Sequence, residues 1–306
     1  MRVAIVGAGG VGGYLGARLA ESGQDVTFIA RGAHLAAMLD HGLRLESPLG
    51  DALIKPVAAT DDPGTIGPVD LVLFAVKLYD TEAAAEACRP LLGPETGVVT
   101  FQNGVDSVAV LSRVLGEKHV IGGVAKIASV IARPGTIRHT GTMAQFVFGE
   151  LDGRRSARIE ALADALANAG VDHAMSEAIE VEIWRKMVFL ASFAGITALI
   201  RLPIGPIRAD PHTRSMYQDA VAEAAGAARA SGVELPDDVV EQNLAHLDRL
   251  PYEMKSSMLE DLERGRQLEL PWLSGAIARM GSQLGVPTPV HAFITTALKL
   301  HADGRA

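Results

Sequence analysis

The sequence predicts an α/β protein in which an N-terminal, doubly wound parallel sheet precedes a second, all-α domain. From residue 1 to about residue 150, apolar strand-like runs alternate with alanine-rich helical stretches, the pattern of a parallel sheet covered on both faces. After about Ser176 nearly every segment has a helical period, punctuated by prolines. The 306 residues suffice for two domains, which we expect at 1–175 and 176–306.

The first predicted strand, Arg2–Val6, leads directly into three glycines with GxGxxG spacing and then into a helix. In that arrangement the first glycine permits a tight turn, the second admits a pyrophosphate close to the backbone, and the third lets the helix pack closely on the strand. The turn therefore predicts a Rossmann-type dinucleotide site, the alternative being a glycine-rich turn without a ligand. The expected binding residues are consecutive: Gly7, Ala8, Gly9, Gly10, Val11 and Gly12.

The end of the second predicted strand, 25–31, indicates which dinucleotide binds. An acidic residue there accepts hydrogen bonds from the ribose 2′-hydroxyl of NAD, whereas an arginine suits a 2′-phosphate. The chain has Arg31 and no acidic residue at positions 28 to 33. This pattern predicts NADP(H), the alternative being a surface arginine that touches nothing.

Two further strands, 71–76 and 97–101, are continuously apolar, as expected for strands covered on both faces. Lys77 directly follows the first, and Asn103 comes shortly after the second. Since ligands bind at the carboxyl ends of such strands, we expect both side chains in the site. Asn103 before Gly104 is alternatively only a turn residue.

The sheet is expected to finish with an antiparallel edge. A strand is predicted over 119–126, and a turn at 133–137 joins extended segments that end at 146–149.

Composition excludes several classes of function. A formal net charge of −8 opposes binding to nucleic acid or an anionic membrane. The single cysteine, Cys88, precludes an intramolecular disulfide and is expected in the core. The nine histidines show no metal-binding spacing, so no metal site is predicted.

No signal peptide precedes the first strand, so a cytoplasmic location is expected. The longest uncharged apolar run, 187–200, is too short to span a bilayer and predicts a buried helix. Lys186 stands at the start of that run. A partly desolvated lysine there is a candidate proton donor near neutral pH. Alternatively its ammonium reaches water and pairs with Glu182.

The chain resembles the ketopantoate reductase (2-dehydropantoate 2-reductase) family through motifs spread from residue 3 to residue 287. In chain order they are GAGGVG, Arg31, AVK ending at Lys77, FQNG with Asn103, IWRK with Lys186, TAL at 197–199, SSML at 256–259 and LEL with Glu269. The resemblance implies an NADPH-binding Rossmann domain and hydride transfer to the ketone of a 2-oxo acid. The first candidate reaction is reduction of 2-dehydropantoate to pantoate in pantothenate biosynthesis.

The resemblance also assigns roles. Lys186 falls on the family's catalytic, proton-donating lysine, and Glu269 on a catalytic glutamate near the nicotinamide. Lys77 and Asn103 fall in the cofactor crevice, with Asn103 also beside the substrate. A backbone position against the cofactor matches Ala128.

Ser257 matches a hydroxyl that binds the substrate carboxylate. From the residues alone, the pair Ser256 and Ser257 serves equally as a helix cap. Glu269, just before Pro271, reads equally as an exposed loop acid.

Four positions depart from the family. Leu190 and Ala194 stand where asparagines contact the substrate, and two further asparagines are replaced by Ile204 and Met254. Such losses leave a substrate hydroxyl unpaired, at about 1 to 3 kcal/mol each. A related reductase for a more apolar 2-oxo acid or carbonyl compound is therefore the second hypothesis, and a non-catalytic NADP-binding sensor the third. We expect the site between the domains, and the apolar helices of the second domain favour a homodimer.

Overall fold

The computed structural model describes residues 1–304. It divides into two compact units, Met1–Glu182 and Ile183–Ala306. The first unit contains the sheet and the second is helical. The change from one to the other falls within the first turns of a long helix that begins at Ile179.

One ten-stranded sheet forms the first unit. Its strands are β1 Arg2–Val6, β2 Asp25–Ile29, β3 Leu43–Glu46, β4 Ala52–Ile54, β5 Ala58–Thr60, β6 Val69–Phe74, β7 Leu92–Thr100, β8 Val120–Arg133, β9 Thr136–Glu150 and β10 Asp172–Met175. They lie in the order β4-β3-β9-β8-β7-β6-β1-β2-β5, with β10 also paired to β9. All pairs are parallel except β3 with β4 and β8 with β9.

Helices cover both faces of this sheet, which confirms the doubly wound prediction. They are α1 Gly10–Glu21, α2 Gly32–His41, α3 Thr81–Ala87, α4 Asp106–Leu115 and α5 Ala157–Asn168. Leu15 of α1 and Leu162 of α5 belong to one apolar cluster, while Ala85 of α3 and Leu111 of α4 belong to a separate one. Two clusters on one sheet are the expected result of strands that are apolar toward both sides.

The antiparallel pairing of β8 with β9 is confirmed, but the prediction that this pair forms the edge of the sheet is wrong. At 15 residues, β9 is long enough to pair twice along the side away from β8. Its first residues pair with β3, through Arg44 and Thr136, and later ones with β10, through Asp172 and Gln145. These added strands are three or four residues long and carry no extended apolar run.

The second unit is built from helices α6 Ile179–Ile200, α7 Ile204–Ala209, α8 Pro211–Ala230, α9 Val239–Arg249, α10 Ser257–Glu263, α11 Ser274–Leu284 and α12 Pro289–Leu298. The 22-residue α6 is long and apolar enough to cross a membrane by length and composition alone. However, 61% of its most apolar window is buried inside the protein, and residues 191–198 are all buried. This confirms a buried helix over the apolar run.

His291 of α12 is a buried titratable group in the helical unit. Its side chain has 0% exposure, and its Nε2–H donates to the carbonyl oxygen of Ala220 at 2.9 Å. Burial lowers the pKa of His291 from 6.5 to about 4, an effect that the backbone hydrogen bond only partly opposes. The folded protein therefore holds this imidazole neutral at pH values where an unfolded chain protonates it.

We predict that His291 makes the protein progressively less stable between pH 6.5 and pH 4. In that window the unfolded chain binds a proton at His291 and the folded chain does not, so acid favours unfolding. The gap corresponds to about 3 kcal/mol. Urea unfolding of wild type and His291→Phe across this range checks it: the free energy of unfolding should fall less steeply in the variant. Equal slopes would show that His291 does not contribute.

Candidate active site

The glycine-rich turn after β1 is packed against backbone on several sides. Gly7 has φ +93°, and a Cβ there would lie 2.8 Å from the amide nitrogen of Val76, beyond β6. A Cβ on Gly12 would overlap the Gly7 carbonyl oxygen, and one on Gly10 would overlap that of Ser129 in β8. Contact therefore requires glycine at these three positions, and at Gly7 the positive φ requires it as well.

Gly9 differs from its neighbours, because a Cβ built there meets no atom within 4 Å. Gly9 is the N-cap of α1, where no side chain caps the helix and no acidic residue occupies the first turn. No side-chain cap therefore occupies the first amide groups at the positive end of the helix dipole, and the space beside Gly9 is open. This cradle fits the pyrophosphate of a dinucleotide.

Arg31 follows β2 and has a largely exposed side chain, with 75% of its surface accessible. Its Nη2 donates to Oδ2 of Asp80 at 2.7 Å, so this exposed arginine is ion-paired within the protein. Asp80 ends the 3-10 turn Leu78–Asp80, which follows β6. The sequence around Arg31 does not reveal Asp80, because the two residues are 49 positions apart in the chain.

The next strand ends hold the other candidate side chains of this unit. Lys77 is exposed beyond β6, and Asn103 is half-buried beyond the neighbouring β7. Gln102 ties these two ends together, since its Nε2 donates to the Val76 carbonyl oxygen at 3.0 Å and to Thr81 Oγ1 at 2.8 Å. Ala128 is exposed on β8, the next strand in the sheet. It precedes Ser129, whose carbonyl oxygen packs against Gly10 of the glycine turn.

His34 on α2 supports the same turn and was not recognised from sequence. The Gly135 amide donates to Nδ1 at 3.0 Å, so Nε2 carries the proton and donates to the Ala8 carbonyl oxygen at 2.9 Å. Burial lowers the pKa of His34, although the hydrogen bond to Ala8 opposes this. A neutral imidazole thus links the turn to the β8–β9 connection.

In the helical unit, Lys186 is half-buried on α6. Leu190 and Ala194 follow one and two turns later on the same face of the helix. Leu190 is half-buried, whereas Ala194 has 0% exposure. Of these two, Leu190 is the one that offers accessible surface.

The polar side chains of α6 beyond Lys186 are bonded to protein groups. Ser192 Oγ donates to the Val188 carbonyl oxygen at 2.9 Å, and Thr197 Oγ1 to that of Phe193 at 2.7 Å. Thr197 Oγ1 also lies 2.7 Å from Ser256 Oγ. These hydroxyls are therefore occupied within the core.

The structure separates the two serines that sequence left equivalent. Ser256 is buried and accepts a hydrogen bond from the Leu259 amide at 3.0 Å, so it is the N-cap of α10. Ser257 is exposed in the first turn. The contact of Thr197 with Ser256 places this turn beside α6, with the Ser257 hydroxyl accessible.

Glu269 precedes the 3-10 turn Leu270–Trp272 and has only 6% exposure, so the alternative of an exposed loop acid is wrong.

The other two departures from the family lie together, because the Ile204 amide donates to the Met254 carbonyl oxygen at 3.0 Å. Ile204 is fully buried and Met254 is half-buried.

Two other chemistries find no support in the part of the chain that the structure describes. Within residues 1–304, no three His, Cys, Asp or Glu side chains are grouped so that they could hold a metal ion. Cys88 is in the core as expected, and burial raises the pKa of its thiol to about 12. It is therefore an unreactive thiol.

Comparison with known proteins gives consistent matches over nearly the whole chain. Residues 3–153 match the family model described as ketopantoate reductase PanE/ApbA, and residues 178–302 match its C-terminal counterpart. An uncharacterized oxidoreductase, YkpB of Bacillus subtilis, is 34% identical over 98% of this chain and 99% of its own length. A 2-dehydropantoate 2-reductase of Mesorhizobium japonicum is 36% identical over 94% of each chain.

A crystal structure of a PanE/ApbA family ketopantoate reductase from Ralstonia eutropha superposes with a TM-score of 0.91. It is 35% identical in sequence, with 99% of this chain and 98% of that chain covered. The fold, the two family models and the full-length relatives agree. The chain belongs to the ketopantoate reductase family of oxidoreductases.

Proposed function

We propose that this protein uses NADPH to reduce the ketone of a 2-oxo acid to the 2-hydroxy acid. The open glycine turn at the N-terminus of α1 is the observation that carries the proposal, because it presents uncapped amides where a dinucleotide pyrophosphate would bind. The first candidate substrate is 2-dehydropantoate, the compound after which the Mesorhizobium relative is named. With that substrate the protein would act in the cytoplasm, in pantothenate biosynthesis. We also propose that it forms a homodimer through its helical unit.

The dinucleotide, when bound, supplies the hydride. The residues proposed to hold it are the glycine turn 7–12, Arg31 for the 2′-phosphate, and Lys77, Asn103 and Ala128 at the adjoining strand ends. All belong to the unit that contains the sheet, and the five strands involved are successive parallel neighbours. Glu269 is proposed at the nicotinamide end.

Lys186 is proposed as the proton donor. Hydride addition places negative charge on the ketone oxygen, and an ammonium at that oxygen stabilises the charge and then protonates it. Lys186 is half-buried, so part of its side chain is accessible to a bound substrate. Asn103 and the exposed Ser257 hydroxyl are proposed to bind the substrate, and Glu269 to act beside Lys186 as a second catalytic group.

A more apolar 2-oxo acid is the second candidate substrate. It is favoured by the face of α6 after Lys186, where Leu190 is accessible and the hydroxyls of Ser192 and Thr197 are bonded to the backbone. Met254 adds another half-buried apolar side chain. Such a surface favours methylene groups, by about 0.8 kcal/mol for each one buried, and leaves a substrate hydroxyl without a partner.

We expect Arg31→Ala to weaken NADPH binding by about tenfold or more and to leave NADH binding nearly unchanged, since only NADPH has a phosphate for the guanidinium to contact. Isothermal titration of both dinucleotides measures this. Arg113→Ala, which removes another exposed, ion-paired arginine from the same unit, is the control. Unchanged NADPH affinity in Arg31→Ala would remove the basis for assigning NADP(H).

Lys186→Ala should lower kcat by a factor on the order of 10² while NADPH affinity stays near that of wild type, because the lysine is assigned to chemistry and not to cofactor binding. Steady-state rates and a separate NADPH titration distinguish the two effects. Lys255→Ala removes an exposed, ion-paired lysine of the same unit and should retain activity. A Lys186→Ala enzyme that turns over normally would show that another group delivers the proton.

Leu190→Asn should raise kcat/KM for 2-dehydropantoate relative to a branched 2-oxo acid of similar size that lacks the hydroxyl, by about tenfold, since one amide replaces an apolar contact. Oxidation of NADPH with both substrates gives the ratio. Leu284→Asn, at another partly exposed leucine of the helical unit, is the matched control. If wild type already prefers 2-dehydropantoate and Leu190→Asn does not alter the ratio, the second candidate is wrong.

A further inference from the structure

Asp80 and Arg31 meet over the carboxyl end of β1. In the sheet β1 lies between β2 and β6, and Arg31 follows β2 whereas Asp80 comes from the 3-10 turn after β6. The glycine turn is held between the same two strand ends. The Gly7 amide reaches the Ile29 carbonyl oxygen at 3.3 Å on one side, and on the other Gly7 packs against Val76. The ion pair therefore bridges the crevice in which an open α/β sheet receives its dinucleotide.

The carboxylate of Asp80 accepts a hydrogen bond from Arg31 and does not cap the helix that follows it. Asp80 is the N-cap residue of α3, a position where aspartate commonly accepts a backbone amide, yet its side chain makes no capping hydrogen bond. Asp210 in the same position of α8 accepts the amides of His212 and Thr213. The Asp80 side chain instead accepts from Arg31 Nη2 at 2.7 Å.

We infer that Asp80 is a specificity-determining residue that moderates the preference for NADPH over NADH. This inference rests on the proposed dinucleotide site. A 2′-phosphate bound to Arg31 shares the guanidinium with a carboxylate of like charge, and the two anions repel each other. The 2′-hydroxyl of NADH is neutral and donates hydrogen bonds, so the same carboxylate favours it. Asp80 thus supplies, from another strand end, the acid that β2 lacks.

Asp80→Asn tests this by removing the charge while keeping the size of the side chain. NADPH should bind about fivefold more tightly and NADH no more tightly than to wild type, so the ratio of their dissociation constants shifts toward NADPH. The shift should shrink at high salt, because the pair is exposed and screened. Asp80→Glu, which keeps the carboxylate, should restore a ratio close to that of wild type.

Glu82→Gln is the matched control, since Glu82 lies in the first turn of α3 and its carboxylate pairs with Arg113 of α4. Its dissociation-constant ratio should equal that of wild type. An unchanged ratio in Asp80→Asn would overturn the inference. A shift toward NADH would also overturn it, because Asp80 would then orient Arg31 for the phosphate. If wild type bound neither NADPH nor NADH, the proposed function itself would fail.

Discussion

The contact of backbone with backbone around the glycine turn is the constraint on which the first unit depends. Gly7 lies against the segment beyond β6, Gly10 against the Ser129 carbonyl of β8, and Gly12 against Gly7 itself. A side chain at any of these places would separate α1 from the sheet or β1 from its neighbours. The same close packing leaves Gly9 open and the α1 amides without a side-chain cap, so one arrangement both assembles the fold and leaves room at the helix N-terminus for the proposed dinucleotide.

His34 extends this constraint to the other side of the turn. Because one ring nitrogen accepts from Gly135 and the other donates to Ala8, the neutral tautomer fits both partners at once. Burial favours that neutral form. His34 thereby holds the carbonyl oxygen of Ala8, while no side chain caps the amides at the N-terminus of α1.

Much of the first unit was predictable from sequence, because long apolar strands and GxGxxG spacing are strong local signals. Strand β1 and the site-bearing ends of β6 and β7 follow from them, as does the antiparallel pairing of β8 with β9. The short strands β3 and β10 were not predictable, since they add to a long β9 through tertiary pairing and carry little pattern of their own. The role of each serine at 256 and 257 likewise depended on which hydroxyl faces an amide.

Asp80 shows why a sequence window fails at a site of this kind. The acid that determines the surroundings of Arg31 lies 49 residues away in the chain, yet its Oδ2 is 2.7 Å from the guanidinium. Parallel strands bring the residues that follow them to one edge of the sheet regardless of their separation in sequence. The chemistry at the end of β2 is therefore set jointly by β2 and by the turn after β6. In this fold, the charge around a residue at one strand end depends on the neighbouring strand ends, so the order of the strands must be known before that charge can be counted.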